Sequence, residues 1–221
     1  MNWNLQNIDG IIFDMDGVIF DTESLGLRSW QALADKYNLG DIRQNAMKCI
    51  GRSTTDTIKI LEECYGNIVS VNNLYNECRV LFQKFIKEEG MPLKPGAAEL
   101  LSFLKENGVK VGLASSTSYK TVVSQLTDAG LISYFQVIVG GDMIENSKPK
   151  PDIYLLACKK LDVRPEKTVS VEDSLNGIKS AYSAGMIPVM VPDLIKPDDK
   201  IRSMTNDVMD SLLDVLAYIK N

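Results

Sequence analysis

Short apolar runs alternate with amphipathic stretches along most of this chain, and that alternation leaves few architectures open. Residues 109–114, 135–139, 168–171 and 187–191 are the apolar runs. Between them, residues 97–106, 153–161 and 174–184 place apolar side chains at helical spacing, with Leu100, Leu101 and Leu104 marking the first. Continuous apolar strands separated by helices belong to βαβ units and a parallel sheet covered on both faces. A further apolar run, residues 8–13, lies much earlier. Between it and the rest, residues 24–37, 41–49, 54–65 and 71–89 all read as helical. That stretch closes on Met91-Pro92-Leu93-Lys94-Pro95-Gly96, a stiff, helix-breaking connector. The expectation is an α/β, Rossmann-like parallel-sheet core, residues 1–21 and 92–221. A small all-helical cap domain, residues 22–91, is inserted after its first strand. An insert on two linkers has the layout of a lid over a site.

Composition narrows the chemistry. The 221 residues allow one good-sized domain or a domain with a small partner. There is no histidine. That excludes a Ser-His-Asp or Cys-His triad, an HExxH zinc site and any imidazole proton shuttle. Carboxylates, hydroxyls, lysines and a bound cation are what remain. With 24 basic and 29 acidic residues the net charge is −5, which argues against a nucleic-acid partner. Cys49, Cys64, Cys78 and Cys158 form no CxxC pair and are expected as reduced thiols. The first ten residues lack the basic and apolar regions of a signal peptide, and no apolar run is long enough to span a membrane. A soluble, cytoplasmic, monomeric protein without a membrane partner is expected.

Four clusters carry candidate chemistry. Asp14-Met15-Asp16-Gly17 follows the first apolar run. Residues two apart on an extended segment share a side, and two such close carboxylates repel unless a cation joins them. Mg²⁺ suits that place, whereas the bland reading is a polar turn closed by Gly17. Ser115-Ser116-Thr117-Ser118 follows the second strand and precedes a helix, so it suits a phosphate or simply the helix start. Lys148, in Lys148-Pro149-Lys150-Pro151-Asp152, is either a positioned cation or a solvated loop lysine. Glu172-Asp173-Ser174 either adds acids at a strand end or starts the next helix. All four clusters fall where strands of one sheet meet helices, and their chemistry is complementary. The set favours phosphate chemistry over four separate accidents.

With these residues in place, the sequence resembles the haloacid dehalogenase-like phosphatase superfamily. More narrowly, it is similar to the β-phosphoglucomutase-like and phosphoglycolate-phosphatase-like members with a small helical cap. The resemblance rests on residues 13–23, Leu113-Ala114-Ser115-Ser116, Ser147-Lys148-Pro149-Lys150-Pro151-Asp152 and Val171-Glu172-Asp173-Ser174. It runs over essentially the whole chain in the right order. It implies that Asp14 is the nucleophile, forming an aspartyl-phosphate, and that Asp16 is the general acid and then the base. Ser115 would hydrogen-bond the phosphoryl group, with Ser116 beside it, and Lys148 would screen charge between Asp14 and phosphate. Mg²⁺ would be held by Asp14, the Asp16 carbonyl and Asp173, with Glu172 as a ligand or a supporting acid. Asp16 sets the chain apart from the dehalogenase branch and disfavours the phosphonatase branch.

Substrate choice would fall to the cap, with Glu23, Arg28, Arg52, Ser53 and Thr54 as candidates and Trp30 as a core residue. Arg52 suits a second anionic group on the substrate or is a surface charge. The related sugar phosphomutases carry a histidine where Gly26 stands here, and their cap-loop arginine falls at Thr54, close to Arg52. The expected activity is therefore Mg²⁺-dependent hydrolysis of a small phosphorylated metabolite, a sugar or polyol phosphate. A hexose-phosphate mutase is the alternative, and a non-catalytic binding protein on the same scaffold a third.

Overall fold

A computed structural model describes residues 3–49 and 54–220. In chain order the elements begin with β1 (Gly10–Phe13), α1 (Thr22–Tyr37), α2 (Arg43–Met47), α3 (Thr54–Tyr65) and α4 (Val71–Glu89). Then come α5 (Ala97–Glu106), β2 (Val111–Ala114), α6 (Tyr119–Asp128), β3 (Val137–Val139) and α7 (Asp152–Leu161). The chain ends with β4 (Thr168–Glu172), α8 (Leu175–Ser183), β5 (Ile187–Met190), α9 (Asp199–Arg202), β6 (Asp207–Val208) and α10 (Leu212–Lys220). It divides into two compact units, Met1–Phe20 with Leu93–Asn221, and Asp21–Pro92.

The first unit is built on a six-stranded sheet in the order β3-β2-β1-β4-β5-β6, every pair parallel. This is the Rossmann-like α/β fold expected from the alternation of apolar runs and helices. β1 is central, and its Ile11, Ile12 and Phe13 are wholly buried, as an apolar strand covered on both faces must be. Helix α7 buries Ile153, Tyr154, Ala157, Cys158 and Leu161 along one side. These join Ile12, Ala114 and Val139 of the sheet in one apolar cluster.

The second unit consists, among the described residues, of α1 to α4. Leu25, Ser29 and Leu33 recur every four residues on α1 and are buried. Ala34, Ile42, Leu61, Tyr65 and Val71 form one cluster, and Leu33, Leu74 and Cys78 a second. Trp30 packs against both, which makes it part of the core of this unit.

Several elements are shorter than the sequence pattern predicts. β1 begins at Gly10, and Asp9 just before it accepts from the Arg164 guanidinium at 2.7 and 2.9 Å. β2 begins at Val111, because the Val109 N–H still donates to Leu104 and finishes the turn after α5. α2 begins at Arg43, whose N–H donates to the Asp41 side chain. All four cysteines are free thiols. Among the described residues no helix is long and apolar enough to cross a membrane.

Candidate active site

Parallel pairing sets the site. Phe13 lies opposite Leu113 of β2 and Val171 of β4. Asp14 and Ser115, which follow β1 and β2, and Glu172-Asp173, at the end of β4, therefore emerge together at the C-terminal edge. The Asp14 N–H donates to Val171, and the Ser115 N–H donates to Val139. Strand order reverses direction between β1 and β4, and open α/β sheets bind ligands in the crevice at such a point.

Lys148 reaches this edge from the loop before α7. Its ammonium donates to Asp14 Oδ1 at 2.5 Å, Glu172 Oε1 at 2.6 Å and the Ala114 carbonyl at 3.1 Å. Three protons meet three acceptors, so the ammonium has a single position. It also lies 5.0 Å from the centroid of the Tyr154 ring. Glu172 is wholly buried. Its Oε1 also accepts from the Tyr154 hydroxyl at 2.7 Å, and its Oε2 from the Ser174 N–H at 3.3 Å and hydroxyl at 3.1 Å. Both Glu172 oxygens are thus engaged by the protein, which makes it an anchor for Lys148. Ser174 does two jobs, because its hydroxyl also accepts from the Gly177 N–H and starts α8.

Opposite Lys148, Asp16 Oδ2 accepts from the Thr117 hydroxyl at 3.0 Å and from the Ser115 hydroxyl at a long 3.5 Å. Ser115 itself is fully buried and accepts the Thr117 N–H at 3.0 Å. Two glycines make room for the acids. Gly17 has a φ of +78°, and a methyl group there would collide with the Asp173 carboxylate. A methyl group at Gly177 would occupy the space of the Glu172 carboxylate.

Charge does not balance among these groups. Asp14, Glu172 and Asp173 place carboxylate oxygens within 4.8 Å of one another, and the Lys148 ammonium is paired with two of them, Asp14 and Glu172. Burial above all, with Glu172 and Asp16, raises the Asp14 carboxyl to about 8 against the opposing pull of Lys148. Burial, then Glu172 and Asp14, likewise raise Asp173 well above the carboxylate range. Lys148 is opposite: burial works against its charge, but Asp14 and Glu172 outweigh that and hold it above the usual lysine value. A cluster with excess negative charge and oxygen donors fits a hard divalent cation. Asp14, Glu172 and Asp173 could each offer it an oxygen, and Glu172 is the one of the three with both oxygens already accepting hydrogen bonds.

Of the residues singled out from sequence, Asp14, Asp16, Ser115, Lys148, Glu172 and Asp173 come together. Ser116 is exposed and takes no part in their hydrogen bonds. Glu23 and Thr54 belong to the helical unit. Glu23 lines a hollow of that unit with Gly26, Trp30, Thr57 and Tyr75, and the Thr54 hydroxyl lies 3.1 Å from that of Tyr75. Arg28 is paired with Glu89 through two hydrogen bonds of 2.6 Å. Arg52 and Ser53 lie outside the described residues. Sequence reasoning missed Tyr154, which looks like one more apolar position of α7, and gave Thr117 no individual role. The signal for Thr117 was its place two residues beyond Ser115, on the same side of an extended segment.

The family model for "Haloacid dehalogenase-like hydrolase" matches residues 11–191. The "Phosphorylated carbohydrates phosphatase" of Thermotoga maritima is 35% identical over 183 residues, 81% of this chain and 82% of its own. Among solved structures, a HAD family hydrolase of Deinococcus radiodurans with bound phosphate and sodium superposes with a TM-score of 0.79 at 26% identity, covering 96% of this chain and 94% of the other. The β-phosphoglucomutase of Clostridium difficile superposes with a TM-score of 0.68 at 27% identity, covering 96% and 97%.

Proposed function

This chain belongs to the haloacid dehalogenase-like hydrolases, and from that premise we propose a Mg²⁺-dependent phosphatase that acts on a small sugar or polyol phosphate through an aspartyl-phosphate. The coarser reading, a phosphoric monoester hydrolase, is supported by relatives named as phosphatases. One observation carries the finer one: Lys148 fixes Oδ1 of a buried Asp14 beside two further acids. A carboxylate is a weak nucleophile, and it attacks a phosphate dianion only when positive charge holds the two together. Lys148 supplies one such charge. A divalent cation held by Asp14 and Asp173 would supply the rest and polarise the phosphoryl oxygens.

In the first step an Asp14 oxygen attacks phosphorus, the ester P–O bond breaks, and the leaving oxygen takes the proton of Asp16. In the second, Asp16 takes a proton from water, whose oxygen attacks phosphorus. The bond to Asp14 breaks and phosphate leaves. Thr117 and Ser115 steady the Asp16 carboxylate, and Ser115 is assigned the phosphoryl group once it is bound. Substrate choice is assigned to the helical unit, with Glu23, Arg52 and Thr54 as its residues and Ser116 at the core edge.

Phosphate release from p-nitrophenyl phosphate and from a panel of sugar and polyol phosphates tests this reading. Activity should require Mg²⁺ and disappear with EDTA or in Asp14→Asn. No release from any ester in the panel would reject it. Faster conversion of β-glucose 1-phosphate to glucose 6-phosphate than phosphate release would establish a mutase instead.

A further inference from the structure

A second largely buried ion pair lies in the same unit and has no part in the chemistry above. Lys94 donates to Asp193 Oδ1 at 2.9 Å, with the side chains 18% and 7% exposed. The other oxygen, Asp193 Oδ2, is buried and accepts no hydrogen bond from any described residue. Leaving a carboxylate oxygen dry and unpartnered is expensive, and native proteins rarely do so without a reason. Location supplies a reason. β4 and β5 are neighbours in register, with Glu172 opposite Met190, and the Val191 N–H donates to the Glu172 carbonyl at 2.7 Å. Asp173 and Asp193 therefore leave adjacent strands at the same edge of the sheet. Asp193 is also among the charges that raise Asp173.

We propose that Asp193, held by Lys94, is a positioning residue for the divalent-cation site, its Oδ2 accepting a hydrogen bond from water in the cation's hydration shell. Mg²⁺ keeps several of its waters when protein carboxylates bind it, and those waters need acceptors. Outer acceptors of this kind tune metal affinity without touching the metal. Lys94 suits the role of holder. Its own N–H donates to the Ile19 carbonyl at 2.9 Å, so its backbone is fixed beside the turn that follows Asp16. One oxygen of Asp193 is thereby immobilised, and the second is left for another donor.

The inference rests on the divalent-cation reading, and titration calorimetry of the full chain with Mg²⁺ alone separates the two. The wild type should bind Mg²⁺, Asp193→Asn should bind it about tenfold more weakly, and Asp193→Glu should recover part of the loss. Unfolding in EDTA provides the second readout. A merely structural ion pair predicts a lower melting temperature for Asp193→Asn with Mg²⁺ affinity unchanged, and that result overturns the inference alone. If Asp193→Asn does not fold, Asp193→Glu carries the test: it keeps the charge but moves the acceptor, so an affinity equal to wild type overturns the inference. A wild type that binds no Mg²⁺ overturns both the inference and its parent reading.

Discussion

The two compact units differ in the ion pairs they bury, although the sheet unit also carries the exposed pair of Arg164 and Asp9. In the helical unit the ion pairs lie in water: Arg28 and Glu89 are each 50% exposed, and Lys36 and Glu77 are 57% and 38% exposed. In the sheet unit Lys148, Asp14 and Glu172 are 6%, 10% and 0% exposed. Exposed pairs gain little and cost little. Buried ones give up hydration that their mutual attraction only partly returns, and apolar residues of the same size would often serve stability as well. The sheet unit therefore carries charges that its fold does not need. They mark where chemistry is done, whereas the charges of the helical unit mark where solvent is met.

Removing the nucleophile tests this contrast most severely. Asp14→Asn should lower turnover by about 10⁴-fold, since no other group can form the covalent intermediate. In EDTA its melting temperature should be no lower than wild type, because burial already disfavours the ionised carboxylate. A large loss of stability would mean that Asp14 serves the fold after all. Removing the cation should do the opposite. Lys148→Met leaves Asp14 and Glu172 buried without a counter-charge, and urea unfolding should register a loss of about 3 kcal/mol together with lost activity. A smaller loss follows from Tyr154→Phe, which takes one donor from buried Glu172 and should cost about 2 kcal/mol while sparing more activity than Lys148→Met.

The contrast also explains which parts of the molecule were legible in the sequence. Asp14, Ser115 and Glu172-Asp173 could be placed because each follows an apolar run that can only be a buried strand, and the parallel sheet does the rest. Helices α3 and α4 were read to the residue from periodicity alone. Partnerships across the chain were not legible. Thr117 meets Asp16 from 101 positions away, and Lys94 meets Asp193 from 99. No local pattern encodes such pairs. Tyr154 was hidden differently, since its ring fills an apolar position of α7 and only its hydroxyl belongs to the site. β6 escaped because two half-buried residues form no run. α10 is apolar on one face but follows no strand that carries a polar cluster.

The smallest effect belongs to the exposed pair of the helical unit. Arg28 grips Glu89 with two hydrogen bonds, and its guanidinium carbon lies 4.0 Å from the centroid of the Phe85 ring. The bond from Arg28 holds Glu89 below its ordinary value of 4.5. A carboxylate lowered in this way adds stability above its unfolded pKa and loses that share as pH falls through the folded value. Carboxyl NMR should therefore find Glu89 titrating below 4.5 in the wild type and back near it in Arg28→Ala. The accompanying change in melting temperature should be slight, and 1 M salt should weaken the electrostatic part of it, because the screening length is then about 3 Å. The stacking of Arg28 on Phe85 adds a part that salt does not screen in the same way. Arg28→Lys separates the two contributions, since it keeps the charge but loses the planar fork and most of the stack. If Arg28→Ala cost as much as Lys148→Met, the helical unit would also be storing charge for a purpose, and the contrast between the two units would fail.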